Sequence, residues 1–132
     1  MKTKYSLMQM RDVWLDAWRN GDIDQLNFVE SLHFFIKHGD AVRTKPQHLA
    51  RMRAYAAEHA ARQWGMTYED EVRHVVERGE WATVSGINAM RRNGRLCARH
   101  EFMELWLICD ARWQIAALCY EHKEIGHDVD AG

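Results

Sequence analysis

The sequence predicts an α+β domain in which N-terminal helices pack on a curved sheet and leave an apolar hollow between the two layers. Two observations carry this reading. A tryptophan-bearing amphipathic stripe runs through the opening segment, and three strands joined by two tight hairpins fill the chain from about Thr67 to about His122. A third observation supports them: neither side of that meander is polar, so the sheet needs cover on both faces.

Leu7, Met10, Arg11, Trp14, Leu15 and Trp18 recur at the i, i+3, i+4, i+7 spacing that gathers side chains on one side of a helix. Asn20-Gly21 ends that helix, because glycine tolerates the left-handed backbone of a C-cap. Asp22 starts a second, shorter helix, with Gln25 completing a capping box over Ile23, Leu26 and Phe28. Leu32 to Ile36 reads as a first strand, closed by the turn His38-Gly39-Asp40, and Ala41 to Arg43 returns as its brief partner. Thr44, with Pro46 in the first turn and Gln47 three residues on, caps a third helix through Leu49, Met52, Tyr55, Ala56, His59 and Ala60, which Gly65 ends. From Thr67 onward the period changes to two. Arg78-Gly79-Glu80 separates the first long strand from Trp81 to Arg92, and Asn93-Gly94 and Asp110-Ala111 supply the two-residue loops that follow.

The 132 residues are the length of one domain, 1–132, with a tail from about 123 expected to fray. Hydrophobic residues at 47% and charged residues at 28% match globular usage, and a formal net charge of -1 argues against a partner bound through phosphates. No secretory h-region or membrane span is visible, so a cytoplasmic protein with no membrane partner is expected. Cys97, Cys109 and Cys119 lack CxxC spacing and read as small apolar side chains.

Counting outward from the two-residue loops assigns each strand residue to a face. One face receives Trp81, Thr83, Ser85, Ile87, Phe102, Glu104, Trp106, Ile108, Trp113 and Ile115. The other receives Ala82, Val84, Gly86, Asn88, Arg99, Glu101, Met103, Leu105, Leu107, Ala116, Leu118 and Tyr120. The second, smaller and more aliphatic, suits helices. The tryptophan-rich one is then left for another protein, and a homodimer through the sheet, anchored by Trp81, Trp106 and Trp113, is expected.

The segment Trp14-Leu15-Asp16-Ala17-Trp18-Arg19-Asn20-Gly21-Asp22 resembles the opening of the NTF2-like superfamily, specifically its small SnoaL-like and DUF4440-like bacterial domains. Arg99 to Trp106, followed by Asp110 to Ile115, is similar to their last hairpin, and the resemblance runs from about Ser6 to about His122. It implies a conical α+β (cystatin-like) fold, with helices on a mixed, mostly antiparallel sheet. It also implies a pocket between the layers and a homodimer. The superfamily includes isomerases, dehydratases, epoxide hydrolases, polyketide cyclases and association domains, so it implies no single activity. Where its ketosteroid isomerases carry a carboxylate near the end of the first strand, this chain has His33, Lys37 and His38.

Such a pocket would be ringed by Trp14, Trp18, Phe34, Tyr55, His59 and His74, with Asn88, Arg99, Glu101 and Tyr120 gathered at its polar end. The expected function is to hold a small, largely apolar or aromatic molecule there. Two alternatives stay open. One is a cofactor-free isomerase, dehydratase or cyclase that uses Glu101 or His59 for proton transfer; the other is a dimerising association module without a ligand. The eight histidines show no HExxH or His-x-His spacing and no Gly-rich phosphate loop appears, so neither a metal nor a cofactor is expected.

Overall fold

The computed structural model describes residues 3–54 and 65–125, the side chains of 122–125 excepted. Helix α1 (Leu7–Asn20) starts at Ser6, whose hydroxyl accepts from the Gln9 amide at 3.1 Å while the Gln9 side-chain oxygen accepts from the Ser6 amide at 2.8 Å. Two donors that a helix start leaves unsatisfied are thereby paired. The helix ends at Gly21 with φ 65°, and it buries Leu7, Met10, Arg11, Trp14 and Ala17. The Asp22 carboxylate accepts from the Gln25 amide and opens α2 (Ile23–Val29). Strands β1 (Glu30–His38) and β2 (Ala41–Thr44) form the hairpin expected around Gly39, and Thr44 and Gln47 cap α3 (Lys45–Ala54) reciprocally. The rest of the expected third helix lies outside the described residues.

The meander holds four strands where the two tight hairpins suggested three: β3 (Met66–Arg78), β4 (Trp81–Arg92), β5 (Arg95–Cys109) and β6 (Arg112–Ile125). The break at Arg78-Gly79-Glu80 is itself a hairpin. Strand β6 continues to Ile125, past the point where the tail was expected to fray. The sheet order is β2-β1-β6-β5-β4-β3, and β1 and β6 are its parallel pair. Helices pack on one face, where Trp14 meets Trp106 edge-on at 6.0 Å and Phe34 at 6.4 Å, above Leu26, Val84, Ile115 and Leu118. No helix among the described residues is long and apolar enough to cross a membrane.

The turns form as the sequence predicts, with Asn93, Gly94, Asp110 and Ala111 all at positive φ, the backbone of a two-residue hairpin loop. The faces do not follow from them. Arg91 pairs with Leu96 but Met90 pairs with Ala98, so a bulge at Cys97 shifts β5 by one residue. A second shift, between Trp106↔Ile115 and Leu105↔Ala117, places another bulge at Ala116. A one-residue slip turns every later side chain to the other face. Phe102, Glu104 and Trp106 consequently join Ala82, Val84 and Asn88 beneath the helices, while Met103 and Leu105 face outward with Trp81 and Thr83. Trp106 and Trp113 are core residues at 0% and 2% exposure, which removes them as interface anchors; Trp81 stays half-exposed. A further irregularity sits in β3 beside Gly86, where an added Cβ would lie 1.9 Å from the Glu71 carbonyl oxygen, so only glycine fits the close strand approach.

Candidate functional site

Between α1 and the inner face of the sheet lies a cleft of about 260 Å³. Trp14, Leu15 and Trp18 of α1, Met52 of α3, and Met90 and Leu118 of the sheet form its apolar wall. The two indoles meet edge-on at 5.4 Å, one helical turn apart. Trp14 is anchored from behind, since its Nε1 donates to Glu30 Oε2 at 3.0 Å, and His48 Nε2 lies 3.0 Å from the same oxygen. The wall is therefore set by buried hydrogen bonds as well as by packing.

The inner end is charged. Arg11, 2% exposed, donates from Nε and Nη2 to Glu104 at 2.8 Å each, and from Nη1 and Nη2 to Asp70 at 2.7 and 2.9 Å. Trp106 Nε1 donates to Glu104 at 2.9 Å. Burial opposes the charge on Arg11, but the hydrogen bonds from it to Asp70 and Glu104 outweigh burial, so its pKa is raised and it stays a cation. Burial raises the Glu104 pKa above the usual carboxylate value, with the bonds from Arg11 and Trp106 pulling the other way. One guanidinium thus faces two carboxylates. Asp70 is the more open of the two, its side chain 19% exposed at the cleft surface.

Beside this triad sits a cluster of polar rings. His100 Nδ1 is 3.3 Å from Asn88 Oδ1, and the Tyr120 ring lies 4.8 Å from His100 and 5.4 Å from His38. Burial, then the charge of Glu104, pushes the Tyr120 phenol up to about 12, against a hydrogen bond with Asn88 and the nearby Arg43. Tyr120 remains a protonated donor at neutral pH. At the rim, Glu69 pairs with Arg91 and stands beside Tyr68 and Arg19.

No family's sequence pattern matches this chain, and no curated protein does. Solved structures do. A ketosteroid isomerase-like protein from Erwinia carotovora atroseptica superposes with a TM-score of 0.62 at 18% identity, over 86% of this chain and 91% of that one. An NTF2-like protein from Cytophaga hutchinsonii gives 0.66 at 12% identity, over 86% and 93%. An NTF2-like protein of unknown function from Pseudomonas putida gives 0.67 at 13% identity, over 87% and 82%. The fold is NTF2-like.

Within this NTF2-like cone, Trp14, Trp18, Asn88 and Tyr120 come together as the sequence predicts. Arg99 and Glu101 do not. The Cys97 bulge pairs them with Ala89 and Ile87 on the outer side, and Glu101 is exposed to solvent, so it has no dry pocket in which to act as an acid or base. His74 is likewise exposed, opposite Ser85, because β3 shifts register just before it. Phe34 belongs to the core behind Trp14, and Tyr55 and His59 lie outside the described residues. Sequence reasoning missed Asp70 and His100, put Glu104 on the tryptophan-rich face, and gave Arg11 no role beyond the α1 stripe. A signal for Arg11 was present: an arginine inside the stripe Leu7, Met10, Trp14 is buried with that stripe and requires carboxylates. Among the described residues no group of three or more His, Cys, Asp or Glu is arranged to hold a metal.

Proposed function

We infer that this protein binds a small molecule with an apolar or aromatic body, seated against Trp14, Trp18 and Leu118, whose polar end meets Tyr120, Asn88 and His100. The observation that carries the reading is the cleft itself. Its apolar walls converge on a few fixed polar groups, which is the usual build of a small-molecule site. The test uses N-phenyl-1-naphthylamine, a neutral probe whose emission rises in apolar surroundings. The folded protein should bind one probe per chain, and Trp18→Ala should weaken binding while far-ultraviolet circular dichroism stays unchanged. A probe that stays dark with the folded protein would refute the reading.

A second reading has its own support. Asp70, held at both oxygens by Arg11, and the protonated Tyr120 phenol open on the same cleft, an acceptor and a donor of protons. That pair suits a cofactor-free isomerase, dehydratase or cyclase better than Glu101 does. Asp70→Asn separates the readings: a binder keeps its ligand, whereas an enzyme loses turnover with ligand still bound. The fold also supports self-association. The outer sheet face bears Phe35, Val76, Trp81, Met103 and Leu105, all at least one-third exposed and none charged. This apolar row, edged on the same face by Lys37, Arg99 and Glu101, is large enough to pair with the same row of a second copy.

A further inference from the structure

A second cleft, of about 270 Å³, opens on the other side of Tyr120 between β2 and the start of α3. Arg43, Gln47, His38 and Tyr120 give it its chemistry, and among the described residues no acidic side chain lines it. The register explains the grouping: Arg43 pairs with Ile36, whose parallel neighbour is Leu118, and His38 lies beside Tyr120, so these side chains share the inner face. Among the described residues no carboxylate pairs with Arg43. Its electrostatic neighbours are another cation, Arg51, and the Tyr120 phenol; burial, then the repulsion by Arg51, lowers the Arg43 pKa, with Tyr120 pulling the other way. Gln47 uses its side-chain oxygen to accept from the Thr44 amide at 3.0 Å, which leaves its NH2 as a donor. A half-buried guanidinium facing a second cation, with a spare amide donor at hand, is stabilised by an anion.

The two clefts are not far apart. Tyr120 lines both, and the rings of His38 in one and His100 in the other are 5.5 Å apart. They meet at the Tyr120, His38 and His100 rings. We propose that the second cleft is the anion subsite of the ligand site, where Arg43 and Gln47 take the carboxylate, sulfonate or phosphate end of a molecule whose apolar body occupies the first. The substrate class is then an amphipathic organic acid. This rests on the first cleft being a ligand site.

The test compares two probes that share a skeleton: 8-anilino-1-naphthalenesulfonate, and N-phenyl-1-naphthylamine, which lacks the sulfonate. Wild-type protein should bind the sulfonate more tightly. Arg43→Gln should weaken the sulfonate at least about tenfold, the effect of losing a charge-assisted hydrogen bond, and leave the neutral probe within about twofold; Arg43→Lys should restore part of the difference. Equal effects on both probes, or none on either, overturn the subsite while leaving the apolar cleft standing. A neutral probe that fails to bind even the wild type overturns the cleft reading, and the subsite with it. Trp18→Ala that weakens the neutral probe and leaves the sulfonate probe unchanged would mean a site for free anions, and the link to the apolar body would fall.

Discussion

Replacing Arg11 by methionine keeps most of the apolar stem and deletes four charge-assisted hydrogen bonds in one step. Glu104, with its side chain 2% exposed, would keep Trp106 Nε1 as its donor and lose its counter-charge. Breaking a buried pair from one side costs about 3–5 kcal/mol. An upper limit follows from proton uptake, because Glu104 can escape the penalty by becoming neutral. From an ordinary carboxyl pKa of roughly 4.3, that costs about 3.7 kcal/mol at pH 7 and about 1 kcal/mol at pH 5. Asp70 adds less, being open enough for water to replace the guanidinium. Arg11→Met should therefore lose about 3–4 kcal/mol at pH 7 in urea unfolding, and its deficit against wild type should shrink by about 2–3 kcal/mol at pH 5. Adding Glu104→Gln, which removes the charge and keeps an acceptor for Trp106, should recover more than half of the loss at pH 7. A deficit below about 1 kcal/mol, or one that is the same at both pH values, would refute the assignment of a buried charged pair.

Two more outcomes follow from the same geometry. Because the folded-state pKa of Tyr120 is raised to about 12 from roughly 10 in the unfolded chain, its contribution is intact below pH 10 and is lost as pH climbs from 10 to 12, on the order of 2–3 kcal/mol. Tyr120→Phe should lack this alkaline step in urea midpoints, and an unchanged alkaline profile would contradict the burial of the phenol. On the outer face, Leu105→Lys puts a charge in the middle of the apolar row; sedimentation should then give a monomer where the wild type gives a dimer, and a wild-type monomer would dispose of self-association.

Local signals were legible wherever a single segment decides its own conformation. Gly21, Asp22, Thr44 with Gln47, and Asn93-Gly94 each specify a cap or turn through backbone sterics and short-range hydrogen bonds, and each formed where expected, although the Gln25 half of the capping box at Asp22 did not. The helix stripe of Leu7, Met10 and Trp14 was legible for the same reason. The bulges at Cys97 and Ala116 were not, because neither residue needs an unusual backbone, and a bulge is decided by how two strands and the helix above them pack. Half the polar end was misassigned in consequence. Arg99 and Glu101 traded places with His100 and Glu104 through a shift of one residue, while Asn88 kept its side because β4 lies before the first bulge.

The shift that obscured the site is also what makes it a site. In the register counted straight from the hairpin loops, the inner face beneath α1 would meet Met103 and Leu105, flexible apolar side chains able to collapse into the cone. The bulged register brings Glu104 and His100 inward, and a carboxylate under an apolar helix stripe is tolerable once Arg11 reaches it. Arg11 then has donors left for Asp70, which holds a second carboxylate at the cleft surface. These bonds fix the inner end of the cone in place, so the space beside Trp18 and Leu118 cannot close without stranding a charge. Asp70 lies partly in solvent and ion-paired, and Tyr120 is buried and protonated. A fixed donor and a fixed acceptor at the inner end of one cleft are polar groups that a bound molecule can meet, and a merely filled core has no cause to keep them.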